Sequence, residues 1–141
     1  MTDLQSKVLS ISRIFLGFTF WTHGAQKLFG WFGGFGQDGG TVELMSRFGI
    51  AGSVEFFGGL LLIFGLFTRP VAFVAAGEMA VAYWWMHAIV FGGGIWHWQN
   101  RGELVMVYCF LWLIFAAFGG GAWSLDALRE RRNSGAEADA I

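Results

Sequence analysis

The sequence predicts an all-α integral membrane protein built as a bundle of four transmembrane helices. Hydrophobic residues make up 55% of the 141 positions and charged residues only 13%, whereas soluble domains carry about 25% charged residues. Sixteen phenylalanines and eight tryptophans add a heavy aromatic load. A soluble globule of this size could not cover its surface with so few polar groups.

The same composition excludes several other classes of protein. A net charge of −1, without a basic stripe, argues against nucleic-acid binding. The apolar content argues against disorder. The single cysteine, Cys109, leaves no disulfide within the chain and no thiolate zinc cluster. The surroundings that fit this composition are those of a lipid bilayer.

Four apolar stretches are long enough to cross a membrane, since a transmembrane helix needs about 20 residues. These spans cover about residues 9–35, 50–67, 71–91 and 104–123. Their length and their lack of two-residue alternation favour helices over strands. The first span follows basic residues, as a signal peptide does, but no small-residue cleavage site comes after it, so we expect it to be retained. Residues 1–132 are therefore predicted to form one membrane domain.

The basic residues predict how the bundle is oriented. Six of them fall on one side of the predicted spans, namely Lys7, Arg13, Arg69, Arg129, Arg131 and Arg132. Only Arg47 and Arg101 fall on the other side, since Lys27 lies inside a span. Lys and Arg collect in the short loops on the cytoplasmic side of a membrane, so both termini are predicted to lie in the cytoplasm. Arg13 is expected at the inner headgroups.

The segments outside the spans have their own predicted structures. Thr41–Phe48 is expected to form a short helix within the first outer loop. Trp96 and Trp98 in the second outer loop suit a membrane interface. Residues 123–132 are predicted to form a short interfacial helix, with leucines toward lipid and basic residues toward headgroups. Residues 133–141 are predicted to form a disordered cytoplasmic tail.

Four ionisable residues inside the apolar spans are the first candidates for function: His23, Lys27, Glu55 and Glu78. Each such group costs about 2.5–3.5 kcal/mol at the bilayer centre and usually faces the protein interior. Counting a rise of about 1.5 Å per residue puts Lys27 and Glu55 at nearly equal depth, which predicts a salt bridge between them. The same count makes His23 the titratable residue nearest in depth to Glu78.

Structural explanations and a metal site are weighed beside the functional one. Lys27 can extend to the interface, the Lys27–Glu55 pair can simply hold helices together, and Glu78 can be a protonated hydrogen-bonding group. Haem would need two histidines at matched depth, whereas His23 and His87 differ by about 6 Å. No haem, flavin or metal ligand set is predicted, and no covalently bound cofactor.

Short motifs in a fixed order carry a family resemblance over about residues 10–128. They are Arg13 with Gly17, HGAQKLFG at 23–30, Glu55 followed by GGLLL at 58–62, GLFTR at 65–69, GEMAVAY at 77–83, NRGE at 100–103 and GGGAWSLD at 119–126. In this order and spacing the chain resembles the DoxX family of small bacterial membrane proteins. Ala122 stands where that family's pattern leads us to expect proline.

The resemblance implies a four-helix fold in the inner membrane and a link to quinones. The family is named after a subunit of an archaeal quinol oxidase and thiosulfate–quinone oxidoreductase system, and other members resemble partners of thiol or oxidative-stress enzymes. The leading hypothesis is a quinone-linked accessory subunit of a respiratory or redox-detoxification oxidoreductase. Its electrons would come from a protein partner in a membrane complex.

The hypothesis assigns two roles to residues of the first three spans. Proton relay or contact with the quinone headgroup is assigned to His23, Lys27, Glu55 and Glu78. Packing or hydrogen bonding to the quinone is assigned to Phe20, Trp21, His23, Gln26 and Phe56. His23 has an ordinary pKa of about 6.5, which suits proton exchange near neutral pH.

Two alternatives stay open. The first is a non-catalytic scaffold that assembles a larger complex, which needs an exposed helix face and no binding pocket. The second is a transporter of small solutes or protons, which is weaker because a chain of this length without an inverted repeat would have to form a homo-oligomer.

Overall fold

The computed structural model describes residues 1–138, and the regular structure in this part of the chain is helical apart from one isolated bridge between Phe35 and Gly40. The elements are α1 (Asp3–Phe29), a 3-10 turn (Trp31–Gly33), α2 (Arg47–Phe64), α3 (Thr68–Val81) with a π-helical continuation (Ala82–Val90), α4 (His97–Asn100), α5 (Glu103–Phe118) and α6 (Leu125–Ala138). The all-α prediction is confirmed.

Helix α1 covers residues 3–29 rather than the predicted 9–35, because both of its ends are fixed by local signals. Thr2 and Gln5 form a reciprocal capping box at the N-terminus. At the other end Gly30 adopts a left-handed conformation, with φ of 70°, and its N–H bonds back to the carbonyl of Gln26.

The predicted short helix Thr41–Phe48 is wrong, because a helix start signal lies inside it. The Ser46 side chain accepts a hydrogen bond from the Gly49 N–H at 3.1 Å and caps α2, which begins at Arg47. The residues from Thr41 to Ser46 form turns and extended backbone.

Two helical segments are long and apolar enough to cross a membrane, namely Arg47–Phe64 and Thr68–Val90, and the apolar helix Glu103–Phe118 is shorter. Helix α1 packs mainly against α2, and α3 packs mainly against α5. The two pairs meet around a buried cluster formed by Phe20, Leu62, Ala72, Ala75, Ala76, Met79, Tyr108, Trp112 and Phe115. Large apolar side chains such as Phe15 and Phe73 remain about two-thirds exposed on the outside, at 69% and 67%, as expected for helices that face lipid.

Arg13 does not lie at the headgroups as expected, because its guanidinium is fully buried, at 0% exposure. It donates to the carbonyl oxygens of Gly120 at 2.8 Å, Trp123 at 2.8 Å and Ile63 at 2.6 Å, and also to that of Leu62. The carbonyls at the end of a helix have no partner within it. Arg13 therefore joins α1 to the end of α2 and to the segment before α6.

Asp126 makes the matching connection from α6. Its two carboxylate oxygens accept from the backbone N–H groups of Phe67 at 2.8 Å and Thr68 at 2.7 Å, where α3 begins. The segment between α5 and α6 is thus held by both an arginine and an aspartate.

Helix α6 begins two residues after the predicted interfacial helix and continues to Ala138. The predicted disordered tail is therefore wrong for residues 133–138, which are helical, and residues 139–141 lie outside the described residues. Asn133, Ser134 and Gly135 are poor helix formers, but α6 continues through them, so low propensity at these positions does not end the helix.

We expect Gly24→Ala to destabilise the bundle, whereas Gly77→Ala should have little effect. A methyl group at Gly24 would lie 2.7 Å from the carbonyl oxygen of Gly52 and closer still to the backbone nitrogen of Phe56. Gly77 has no atom within 4 Å of its methyl position. Overpacking costs about 1–3 kcal/mol. Thermal unfolding in detergent compares the two variants, and equal midpoints would contradict the close approach of α1 and α2.

Candidate functional site

Lys27 and Glu55 form an ion pair between α1 and α2. The Lys27 Nζ lies 2.6 Å from both carboxylate oxygens of Glu55. The side chains are 14% and 4% exposed, so the pair is shielded on almost all sides. The predicted salt bridge is confirmed. Removing both charges from water costs free energy that offsets most of the attraction between them. The pair therefore depends on the close packing of α1 against α2.

Glycines on both helices bring the pair together. A methyl group at Gly52 would lie 3.0 Å from the Lys27 Cβ, and one at Gly59 would lie 2.7 Å from the backbone of Trp21. Gly24 makes the reciprocal approach from α1. Small residues let helices pack closely in a membrane, so these three positions set the short distance that Lys27 and Glu55 span.

Glu78 reaches the same region from α3. Its Oε2 atom is buried and has no hydrogen-bond partner within the described residues. His23, which the residue count put nearest to Glu78 in depth, forms no ion pair with it in the described part of the chain.

On α1, His23 lies one turn before Lys27, and Gln26 directly precedes Lys27. His23 is half-buried and makes no ion pair with any described residue. The Gln26 Nε2 donates to the carbonyl oxygen of Phe32 at 3.3 Å, which ties α1 to the 3-10 turn. At this spacing His23, Gln26 and Lys27 share one face of α1.

An aromatic cluster lies next to the ion pair, and we define it as Trp21, Phe29, Trp31, Phe32 and Phe56. The Trp21 ring lies 5.8 Å from Phe56, 6.2 Å from Trp31 and 6.0 Å from Phe32, measured between ring centroids. Phe29 lies 5.0 Å from Phe56. Phe56 directly follows Glu55 on α2, so the cluster lies at the same level of the α1–α2 pair as the ion pair, on a neighbouring side of α2.

Trp21 also carries an unused hydrogen-bond donor. Its indole Nε1 is buried and has no acceptor among the described residues. A buried indole N–H usually finds a partner. Trp21 can therefore donate one hydrogen bond to a group that enters beside the aromatic cluster.

Phe20 does not join this cluster, contrary to expectation. Its ring is 1% exposed and lies 6.0 Å from Tyr108 and 5.3 Å from Trp112, measured between centroids. Adjacent helix positions point about 100° apart. Phe20 therefore faces the core while Trp21 faces α2.

The sequence pattern missed three members of the cluster: Phe29, Trp31 and Phe32. The signal for them was the dense aromatic tract that follows Lys27. The predicted first span extended to residue 35, so this tract was expected to be part of one continuous helix. In the structure α1 ends at Phe29, and the 3-10 turn folds Trp31 and Phe32 back toward Trp21.

The other histidines lie apart from this site. The His87 Nδ1 lies 2.9 Å from the carbonyl oxygen of Asn100, at the base of the second outer loop. His97 begins the short helix α4 in that loop. Within residues 1–138 no group of three or more His, Cys, Asp or Glu side chains has an arrangement that could hold a metal ion.

Comparisons with known proteins place this fold in a family. The DoxX family model matches residues 8–88, which is more than half of the chain and includes His23, Lys27, Glu55 and Glu78. A protein of Haemophilus influenzae, described as uncharacterized, is 38% identical over 107 residues, covering 73% of this chain and 76% of the relative. No solved structure matches the chain. With its long apolar helices, the chain is a membrane protein that belongs to the DoxX family.

Proposed function

We propose that the protein is a quinone-linked membrane subunit of a respiratory or redox-detoxification oxidoreductase. The observation that carries the proposal is the juxtaposition of a shielded Lys27–Glu55 pair with an aromatic cluster that holds an unused donor at Trp21. Quinone headgroups are flat, apolar on their faces and polar at two carbonyl oxygens. The site offers a complementary surface for both parts.

Two kinds of contact bind the quinone headgroup: a hydrogen bond and the packing of aromatic rings. The Trp21 indole N–H donates to one quinone carbonyl, and the rings of Phe56 and Phe29 pack on the headgroup. Aromatic pairs at this spacing stabilise by about 0.5–1.5 kcal/mol beyond the area they bury. The exposed side of Phe29, at 48%, opens the cluster toward lipid, from which a quinone with an apolar tail would enter.

The charged residues supply protons. A quinone takes up two electrons and two protons on reduction, and the protons must reach a site that bulk water does not fill. His23 lies one turn from Lys27, and its imidazole can both accept and donate a proton. Glu55 and Glu78 provide two further carboxylates within the same group of interacting charges. The electrons come from a partner subunit of the same membrane complex.

The proposal places four spans in the bacterial inner membrane with both termini in the cytoplasm. Helix α1 is 27 residues long, or about 40 Å, so Asp3 and Lys7 reach the headgroups while Lys27 stays inside. The 16 residues of α5 span about 24 Å. A phosphatase fused after Ile141 is inactive in this topology and active in the opposite one.

We expect His23→Ala to lower quinone-dependent activity of the native membranes by about a hundredfold, the lower range for loss of a general acid or base. Folding should change little, because His23 makes no ion pair that its loss would strand. His97→Ala is the matched control, since it removes the same side chain from a loop away from the site. Electron transfer to quinone and thermal stability are measured for both variants.

Normal activity of a folded His23→Ala protein would overturn the proton role of His23. If quinone binding and partner activity also survived changes in the aromatic cluster, the scaffold function would explain the protein better, since a scaffold needs only its exposed helix faces.

A further inference from the structure

An open groove of about 840 Å³ lies at the end of the bundle opposite the Lys27–Glu55 pair. Its walls come from the N-terminus of α1, the turn between α2 and α3, the segment between α5 and α6, and one face of α6. Its polar lining includes Thr68, Arg69, Asp126, Arg129, Glu130 and Arg131. None of them belongs to the proposed quinone site.

The groove is positively charged where a ligand can reach it. Arg69, Arg129 and Arg131 line it, against Asp126 and Glu130. Asp126 is already engaged by the backbone N–H groups of Phe67 and Thr68. Three guanidinium groups therefore face two carboxylates, and the excess of one positive charge favours an anionic occupant.

A buried hydroxyl in the wall lacks a partner. Thr68 is 0% exposed, and its Oγ1 atom makes no hydrogen bond with any described residue. It lies against Gly120, where a methyl group would come 2.7 Å from it. Buried hydroxyls are normally hydrogen-bonded, so this group offers a donor to an acceptor in the groove.

The rim of the groove is apolar and exposed. Phe67 and Phe118, which line the groove, are both more than half exposed, at 53% and 60%. Aromatic side chains in such positions mark the level where headgroups meet acyl chains. The groove therefore combines a cationic floor with a hydrocarbon-compatible edge at the membrane interface.

We propose that this groove binds the headgroup of an anionic phospholipid. The arginines and the Thr68 hydroxyl hold the phosphate, and the acyl chains lie over the aromatic rim. A zwitterionic lipid brings a cation that the arginines repel, and a free phosphate ion gains nothing from the rim. The bound lipid would brace α6 against the ends of α2 and α5.

The test is native mass spectrometry of the delipidated full-length protein in detergent, titrated with dioleoyl phosphatidylglycerol or dioleoyl phosphatidylcholine. We expect one phosphatidylglycerol to bind in preference to phosphatidylcholine. Arg131→Gln should weaken it about fivefold, the loss that corresponds to one arginine at about 1 kcal/mol. Arg132→Gln is the matched control, because this neighbouring arginine lies on α6 but does not line the groove. Inorganic phosphate in excess should not displace the lipid.

Thr68→Val gives a second, nearly isosteric variant, in case the arginine change alters α6. It should also weaken phosphatidylglycerol while leaving the unfolding midpoint unchanged without lipid. Equal binding of the two lipids would overturn the proposal. So would equal losses in the Arg131 and Arg132 variants, which would indicate general surface attraction. Displacement by millimolar phosphate would assign the groove to a free anion instead.

Discussion

Replacing Lys27 by methionine is expected to lower the free energy of unfolding by about 3–5 kcal/mol, because it leaves the Glu55 carboxyl shielded and without its counter-charge. Glu55 is 3% exposed, so water cannot take the place of the ammonium group. Reversible unfolding of the purified protein in mixed micelles, followed by helical content, measures the change.

Two comparisons isolate the buried pair. Lys7 also pairs with an acid, Asp3, at 2.6 Å, but there the side chains are 45% and 76% exposed, and such surface pairs contribute about 0–1 kcal/mol. Lys7→Met should therefore change little. The double variant Lys27→Met/Glu55→Met should recover most of the loss, because no lone charge remains. A single Lys27 variant as stable as the Lys7 variant would contradict the shielded pair.

The second large effect is expected for Arg13→Met. This change removes the donor for carbonyls at the end of α2 and in the segment before α6. Each buried acceptor left unpaired costs about 1–3 kcal/mol. The segment should also loosen, so trypsin should cleave α6 at Arg129 and Arg131 faster than in the wild-type protein.

Arg13→Lys separates charge from geometry. Lysine keeps the charge but lacks the planar fork that reaches several carbonyls at once, so we expect it to restore only part of the protection. Lys7→Met serves as the control for charge loss on the same helix. Wild-type cleavage rates and unfolding in Arg13→Met would show that α6 is held by other contacts.

The ion pair was predictable from sequence because counting residues along a helix gives the depth of each side chain in the membrane. Two opposite charges at matched depth in adjacent apolar helices have few alternatives to pairing, given the cost of either alone. The glycines near Glu55 indicated that this face of α2 packs closely against another helix. Lys27 and Glu55 are accordingly found within 2.6 Å of each other.

Arg13 and Phe20 were misplaced because depth in the membrane does not specify which side of a helix a residue faces. Arg13 lies near the end of a span, where the headgroup is the simplest partner, but the carbonyls that it binds come from residues 49 to 110 positions away in sequence. Phe20 faces the core formed with α5, where its ring lies 6.0 Å from Tyr108 and 5.3 Å from Trp112, measured between centroids. These arrangements follow from tertiary packing, which no periodicity in one helix reveals.

The most direct test of the proposed quinone site is calorimetric titration of the purified protein in detergent with a short-chain ubiquinone and a short-chain menaquinone. The wild-type protein should bind one of them saturably at one site, and Trp21→Phe should weaken that binding about threefold to tenfold through the lost indole hydrogen bond. Trp123→Phe, an exposed tryptophan far from the cluster, should bind as the wild type does. Absence of saturable binding to the wild-type protein, or equal binding by the two tryptophan variants, would contradict the site.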